Sequence, residues 1–176
     1  MRVLIINSWE LDGGAARSSN RLHKFLLKEG VDSKMLVMRK TTDNSSVISP
    51  FSKLEIEYNK LLPNISALPI LFYNKKKKKT IFSPQFMAKD LSKVIDSINP
   101  DVVHVHWING GFMNLKTLIK INKPIIWTMH DNWIFTGGCH VMNDCQRYKE
   151  YCGKCPVLGS TDKNDLSQKS LIKKKK

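Results

Sequence analysis

Residues 2–7 read Arg-Val-Leu-Ile-Ile-Asn and decide the fold class. This run of β-branched residues and leucine has no polar alternation, which predicts a strand buried on both faces of a parallel sheet. A turn at 12–15 and a helix ending at Gly30 follow it, and residues 35–38 (MLVM) predict a second strand. The helix is predicted from three apolar residues at i, i+3, i+4 spacing: Leu22, Phe25 and Leu26. Together these segments make a βαβ unit.

The same alternation continues in the second half of the chain. An apolar stripe at 87–98 predicts a helix, and residues 101–107 (DVVHVHW) predict a buried strand. Asn114 is a candidate N-cap of a short helix, and residues 125–129 (IIWTM) predict a further strand. Strands that alternate with helices predict an α/β fold, a Rossmann-like parallel sheet with flanking helices and right-handed crossovers.

Length and composition favour a single globular domain. The chain has 176 residues, of which 41% are hydrophobic and 25% charged, and no run of about 18 apolar residues predicts a transmembrane helix. The N-terminus lacks the features of a signal peptide, so we expect a cytoplasmic protein. Nine of the 29 basic residues lie in two lysine runs, 75–79 and 173–176, and the other 20 against 15 acidic residues leave a charge of +5. A lysine run is usually a solvated loop or tail, so no nucleic acid partner is expected.

Residues 40–82 form a variable flap with a weaker pattern. Leu54 to Leu62 suggest a short amphipathic helix, and an apolar stretch ends at 71–73 (LFY), directly before the first lysine run. Apolar residues beside a polybasic run are typical of contact with an anionic membrane surface, so Leu71–Lys79 is a candidate for peripheral contact with the inner face of the membrane. The alternative is a flap that packs on its own domain with a solvated tip.

Three groups of candidate substrate-binding residues follow the strands, where ligands bind in parallel α/β sheets. They are Gly13-Gly14, His106-Trp107 with Gly110-Gly111, and His130-Asp131. A Gly-Gly turn before a helix lets the backbone approach a phosphate, and the alternative is a tight turn without a ligand. The turn is neither a dinucleotide fingerprint nor a Walker loop, because residues 15–17 are Ala-Ala-Arg.

The histidines are the candidate catalytic groups. His104 and His106 share one face of their strand, and we expect His106, nearer the strand end, to reach the site while the other is a hydrogen-bonded core residue. His130 is the stronger candidate, because a histidine at a strand end can donate a hydrogen bond to a substrate hydroxyl or act as a base. Asp131 is assigned to catalysis with it, and the alternative is that Asp131 caps the segment that follows.

A Cys-rich loop at 137–160 contains all four cysteines: Cys139, Cys145, Cys152 and Cys155. The C-x-x-C half has the spacing of a zinc knuckle, whereas the C-x5-C half is looser than usual. These thiols are candidates for a structural zinc site, with His140 as an alternative ligand. Buried thiols or two disulfides are the other interpretations. A closed site with four protein ligands leaves no open position for a catalytic water.

Several strings resemble the N-terminal domain of a family 4 glycosyltransferase. The most specific are residues 130–140 (HDNWIFTGGCH), followed by Cys145 and by residues 152–160 (CGKCPVLGS). The turn at 13–17 (GGAAR) and residues 99–111 (NPDVVHVHWINGG) match this family too. Bacterial members of the group build surface and capsular polysaccharides, so the resemblance places the chain in polysaccharide biosynthesis.

The resemblance implies a GT-B enzyme, in which two Rossmann-like domains face a cleft, no metal is required for catalysis and anomeric configuration is retained. The N-terminal domain chiefly holds a glycan or lipid-linked acceptor, and the C-terminal domain holds the nucleotide-sugar donor. The loop with Gly13, Gly14, Ala15 and Arg17 is implied to approach the donor diphosphate, and His130 to contact the transferred sugar. Backbone N–H groups at that loop would stabilise the charge of the leaving diphosphate.

On this resemblance residues 1–176 correspond to the acceptor-side domain, and the C-terminal donor-binding domain is absent. We therefore expect a truncated or frame-interrupted product that does not transfer sugar by itself. The alternative function is a zinc-stapled basic module that binds nucleic acid or a membrane surface. A complete one-domain Rossmann enzyme is disfavoured, because no acidic ribose ligand follows the second strand.

Overall fold

A computed structural model describes residues 1–73, 80–85 and 87–175. The chain divides into two compact units, one of residues 1–62 and 88–130 and one of residues 63–87 and 131–176. The lysine run of the candidate membrane segment lies outside the described residues. No helix in the described ranges is long and apolar enough to cross a bilayer.

The first unit is built on a parallel sheet. Its strands are β1 (Arg2–Ile6), β2 (Asp32–Leu36), β3 (Val47–Ile48), β4 (Val102–Val105) and β5 (Ile125–Trp127). They form one five-stranded sheet in the order β3-β2-β1-β4-β5, and each neighbouring pair is parallel. The predicted fold class is therefore confirmed. Strand β2 begins and ends earlier than the predicted 35–38, and the pattern does not predict the short β3.

Helices flank the strands along the chain. They are α1 (Gly14–Lys28), α2 (Lys53–Asn59), α3 (Leu62–Ala67), α4 (Ser92–Ile98), α5 (Leu115–Lys120) and α6 (Leu166–Lys175), with 3₁₀ turns at Leu68–Phe72 and Arg147–Lys149. The predicted N-cap of α5 is confirmed, because the Asn114 side chain accepts the Thr117 N–H. Helix α2 begins with a capping box of Ser52 and Glu55, but Leu54 on it is 85% exposed, so the predicted apolar face is not buried there.

Alternate residues of the central strands face opposite sides of the sheet. Val3 and Ile5 of β1 lie in one cluster, which Leu22 and Leu26 of α1 cover. Leu4 and Ile6 lie in a second cluster with residues of α4 and α5. This two-sided burial explains why β1 is apolar throughout. The predicted helix is confirmed, but of the three apolar residues that predicted it only Leu22 and Leu26 pack on this cluster, since Phe25 is 58% exposed.

The helix predicted over 87–98 begins only at Ser92. Before it, the Lys89 N–H donates to Phe112 O, and the Asn114 N–H donates to Lys89 O. These strand-like bonds use the backbone groups that an earlier helical turn would need. The apolar stripe in this stretch is therefore shared between an extended segment and a helix of seven residues.

The second unit is held together by a small apolar cluster. Its buried members are Ile70, Phe82, Cys155, Val157 and Leu158. Tyr73 accepts the N–H of Leu166 through its hydroxyl, at the start of α6. The Cys-rich loop therefore packs within this unit against residues from the end of the flap.

Candidate functional site

Polar groups interlock the carboxyl ends of β1 and β4. The Ser8 N–H donates to Trp107 O at 2.7 Å, and the Trp107 N–H donates to Asn7 Oδ1 at 3.0 Å. The Ser8 hydroxyl donates to Asn109 O at 2.7 Å. These bonds fix the loop after β4 to the loop after β1. Asn7, Ser8 and Asn109 were not predicted as site residues, although polar residues that directly follow an apolar strand are a signal visible in the sequence.

His106 and His130 contact each other at the same edge of the sheet. Nδ1 of His106 lies 2.8 Å from Nε2 of His130, and the two rings stack with centroids 5.1 Å apart. His104 bonds to Thr128 Oγ1 through its Nε2 at 2.8 Å. Two predicted site residues from different strands are thus brought together, and the third histidine is held beside them.

His106, which directly follows β4, is buried with 4% exposure, whereas His104 within β4 is only half-buried, so the prediction that His104 is the core histidine is wrong. Burial is the main reason that the pKa of His106 falls to about 3, and the nearby His104 and His130 lower it further. The ring is therefore neutral and carries one proton. Within the described part of the chain its buried Nε2 has no hydrogen-bond partner. An unpaired acceptor is tolerated better than an unpaired donor, so we assign the proton to Nδ1, which donates to His130 Nε2.

The predicted diphosphate loop starts helix α1. Gly13 has φ 92, in the left-handed region, and a Cβ there would meet nothing within 4 Å. The backbone conformation at residue 13 therefore favours glycine, although the space that a Cβ would occupy is open. The exposed side chain of Arg17 folds back on this turn, since its Nε donates to Gly13 O at 3.4 Å. The half-buried Ala15 completes a first turn whose N–H groups suit an anion.

The loop after β4 makes a left-handed turn at Gly110 (φ 72) and Gly111 (φ 84). Trp107 at its start is half-buried. The indole N–H of Trp127 donates to His106 O at 3.0 Å, which ties β5 to this loop. The backbone that carries His106 is therefore held from both neighbouring strands.

Asp131 belongs to the second unit and engages a different histidine. Its Oδ2 lies 2.6 Å from His140 Nδ1, and its Oδ1 accepts the Trp133 N–H at 2.8 Å. His140 Nε2 lies 2.8 Å from Ser83 Oγ, so both ring nitrogens of His140 are engaged. The bond to Trp133 is the capping contact that was the alternative interpretation of Asp131. A catalytic role for Asp131 stays a prediction.

A buried carboxylate that the sequence pattern does not predict lies in the segment after β1. Glu10 is 1% exposed, and it accepts the N–H and hydroxyl groups of Thr41 and Thr42. Burial raises the pKa of Glu10, but the hydrogen bonds from Thr42 and Thr41 outweigh it and hold the pKa below its ordinary value. Glu10 thereby anchors the segment after β2 to the segment after β1.

All four cysteines are free, and they line one small cavity of about 20 Å³ in the second unit. The Cys139 thiol donates to the Cys155 sulfur, which lowers the pKa of Cys155 to about 6 and raises that of Cys139. Burial raises the pKa of Cys152. Across 1–73, 80–85 and 87–175, no three His, Cys, Asp or Glu side chains are placed so that they could hold a metal ion. The predicted zinc site stays a prediction.

Comparison with known proteins adds a family assignment for these residues. The model of Glycosyltransferase Family 4 matches residues 12–151. The chain is also 26% identical over 170 residues to an Escherichia coli (strain K12) protein named "Putative colanic acid biosynthesis glycosyl transferase WcaC". That alignment covers 91% of this chain and 40% of the relative, so the chain spans about two fifths of the relative's length. The family match contains Gly13, His106 and His130.

Proposed function

The chain belongs to glycosyltransferase family 4, and we propose that it supplies the acceptor-side part of a sugar transfer. The donor is a nucleotide-sugar and the acceptor is a glycan or a lipid-linked sugar. Because the relative is more than twice as long, the proposal is limited to what these residues do. They bind the acceptor and place His130 beside the sugar that is transferred.

One observation carries this proposal: exposed His130 stands at the end of β5 and contacts buried His106 at the end of β4. Since His106 donates to Nε2 of His130, the proton of a neutral His130 ring lies on Nδ1. His130 therefore acts toward a sugar hydroxyl as a hydrogen-bond donor rather than as a base. His106 is a positioning residue, because it acts through His130.

The turn with Gly13, Gly14, Ala15 and Arg17 is proposed to face the donor diphosphate. Its support is the open space beside Gly13 and the first-turn N–H groups of α1. Negative charge develops on the diphosphate as the glycosidic bond to it breaks, and fixed N–H donors stabilise this charge without rearranging. The neighbouring Arg17 adds a positive charge to the same turn.

We also propose peripheral contact with the inner face of a membrane, where a lipid-linked acceptor is reached. The support is a set of exposed apolar side chains within the second unit, Leu68, Leu71, Phe72 and Ile81, of which Phe72 is 87% exposed. In the sequence they flank the lysine run at 75–79. Apolar insertion combined with basic residues is the usual basis of such contacts.

The proposal is tested by binding measurements on the full chain. The probes are a short-chain polyprenyl-diphosphate-linked monosaccharide as acceptor and UDP-glucose as donor. Their binding is measured by calorimetry and by ¹⁵N spectra of the histidine rings. We expect saturable binding of the acceptor, a shift of the His130 resonances and at least tenfold weaker binding in His130→Ala. Lys28→Ala is the control, because Lys28 is exposed at the far end of α1.

Acceptor binding that His130→Ala leaves unchanged would contradict the proposed site. Mass spectrometry of the same mixtures measures whether sugar is transferred. Transfer by this chain alone would overturn the limitation to an acceptor-side role. The His106→Asn variant separates positioning from contact: we expect weaker binding together with a changed tautomer signal of His130.

A further inference from the structure

The four cysteine side chains converge on a cavity that is suited to one small ion. The cavity holds about 20 Å³, and its other lining groups include Thr136, Met142, Pro156 and Val157. This volume is comparable with that needed for one water molecule. Sulfur is the prevailing ligand type at the cavity wall, and four sulfurs are the donor set that selects zinc among common divalent cations.

The backbone of the C-x-x-C segment is held in a costly conformation that brings both sulfurs to this cavity. Cys152 (φ 54), Gly153 (φ 83) and Lys154 (φ 44) are consecutive left-handed residues. A side chain at Gly153 is excluded, because a Cβ would lie 2.2 Å from Lys163 O. Non-glycine residues rarely adopt this region and persist there only where the surroundings enforce the conformation.

Four backbone N–H bonds enforce this conformation. The Cys152 N–H donates to Arg147 O at 2.9 Å and the Lys154 N–H to Asp162 O at 2.7 Å. The Gly153 N–H donates to Ser167 Oγ at 3.0 Å, and the Cys155 N–H donates to Asp165 Oδ2 at 2.8 Å. Residues outside the turn thus hold its backbone in place, as expected where a fold positions metal-ligating side chains before the metal binds.

Backbone donors also point at the sulfurs themselves. The Gly137 N–H donates to the Cys152 sulfur, and the N–H groups of Val157 and Leu158 donate to the Cys155 sulfur. Such bonds stabilise thiolate over thiol, and thiolate is the form that binds a metal. They are the outer-shell contacts that orient metal ligands in proteins.

Two cations near the cavity complement the charge of a metal–thiolate group. Arg147 lines the cavity, and its Nη1 donates to Gly153 O at 3.1 Å and to Lys154 O at 2.9 Å. Burial lowers the pKa of Lys174 to about 7, while electrostatic interaction with Cys152 and Cys139 favours its charged form. One Zn²⁺ with four thiolates carries a net charge of about −2, which these two side chains offset.

His140 is not needed for the ligand set. Both of its ring nitrogens are engaged, with Asp131 and with Ser83. Binding a metal through His140 would break one of these buried contacts, whereas the four thiols already share the cavity wall. A ligand set of four cysteines therefore leaves the hydrogen bonds of His140 intact.

As the side chains stand, no group of three or more His, Cys, Asp or Glu in the described residues is placed to hold a metal ion, so the thiols must move to bind one. The Cys139 thiol and the Cys155 sulfur are already hydrogen-bonded. Half-buried Cys145 also borders a neighbouring open cavity of about 370 Å³, which offers an entry path. Rotation of the cysteine side chains would close the shell around an entering ion.

We infer that Cys139, Cys145, Cys152 and Cys155 bind one Zn²⁺ ion in a tetrahedral, structural site. The ion cross-links residues of the loop that separates His130 from α6, and it takes no part in sugar transfer. Binding releases the remaining thiol protons, so that all four ligands are thiolates.

The test measures metal binding by the full chain, purified under reducing conditions without chelator. We expect elemental analysis to find one zinc per chain and native mass spectrometry to find the mass of one bound zinc. Replacement by Co²⁺ should produce the thiolate-to-cobalt charge-transfer band and the visible bands of a tetrahedral site. His140→Gln should leave the cobalt spectrum unchanged, and so should Met142→Leu, the control for a change in the cavity wall.

Cys145→Ser and Cys152→Ser should each weaken zinc binding at least tenfold, as judged by competition with a chromophoric chelator. If these variants fail to fold, chelator titration of the unmodified chain still measures the affinity. Four free thiols without bound zinc and without a cobalt–thiolate band would overturn the inference. So would a loss of thiol hydrogens in the intact mass under non-reducing conditions, because it would assign the cysteines to disulfides.

Discussion

Nδ1 of His106 and Nε2 of His130 lie 2.8 Å apart, although the two residues are 24 positions apart in the chain. The contact exists because β4 and β5 are neighbours in parallel register, with Val105 opposite Trp127. Residues that follow the two strands therefore emerge side by side. A buried histidine can in this way set the tautomer of an exposed one.

Acid should destabilise the fold through His106. The pKa of His106 is about 3 in the folded state, and about 6.5 in an unfolded chain. As pH falls below 6.5, the unfolded state takes up a proton that folded His106 does not, so the free energy of unfolding decreases. We expect a loss of about 2 kcal/mol between pH 7 and pH 5 in urea unfolding followed by circular dichroism.

His106→Asn keeps a polar atom near the Nδ1 position and removes the titration. Its stability should depend less steeply on pH over this range than that of the unmodified chain. Some slope will remain, because burial also lowers the pKa of His23. Equal slopes for the two proteins would show that His106 titrates normally and would contradict the assignment of a neutral ring.

Glu10→Gln should destabilise the first unit by about 1–3 kcal/mol, since an amide cannot accept all the hydrogen bonds that Thr41 and Thr42 donate and leaves buried donors unpaired. Urea unfolding at neutral pH measures the change. Glu57→Gln is the matched control, because its carboxylate is 66% exposed and pairs only with Lys60 among the salt bridges of the described residues. An equal effect of both changes would refute the anchoring role of Glu10.

Leu71→Asp combined with Phe72→Asp should reduce sedimentation of the protein with vesicles that contain phosphatidylglycerol. The two side chains are 73% and 87% exposed, so the substitutions should leave the apolar core of the second unit intact. Leu54→Asp is the control, since Leu54 is 85% exposed in a different segment. Neutral vesicles should bind more weakly than anionic ones, and vesicle binding that survives the double change rules out this contact.

Lys174→Met should destabilise the second unit by about 1–2 kcal/mol and change the tryptophan fluorescence. The Lys174 Nζ lies 3.6 Å from the centre of the Trp133 ring. It also donates to Trp133 O at 2.5 Å and to Thr136 O at 3.0 Å. Lys173→Met, at an exposed position, should change neither property. Identical fluorescence in the two variants would mean that the contact does not persist in solution.

Four of the five strands could be predicted from the sequence, because hydrophobic period and apolar content are properties of short segments. The run at 2–7 is apolar at successive positions, so its strand must be covered on both faces of the sheet. The turn at Gly13 requires a residue that tolerates positive φ. Residues that follow parallel strands lie at the same edge of the sheet, so the sequence predicted that His106 and His130 lie at that edge.

The partners of the polar groups and the exact bounds of the helices depend on tertiary contacts. Asp131 faces His140 rather than His130, because the turn that follows it brings a ring nine positions away within 2.6 Å. The helix expected from residue 87 starts at Ser92, since Lys89 gives its backbone groups to the segment before α5. Pairings of this kind depend on strand register and loop geometry, which residues distant in the chain determine jointly and no local pattern encodes.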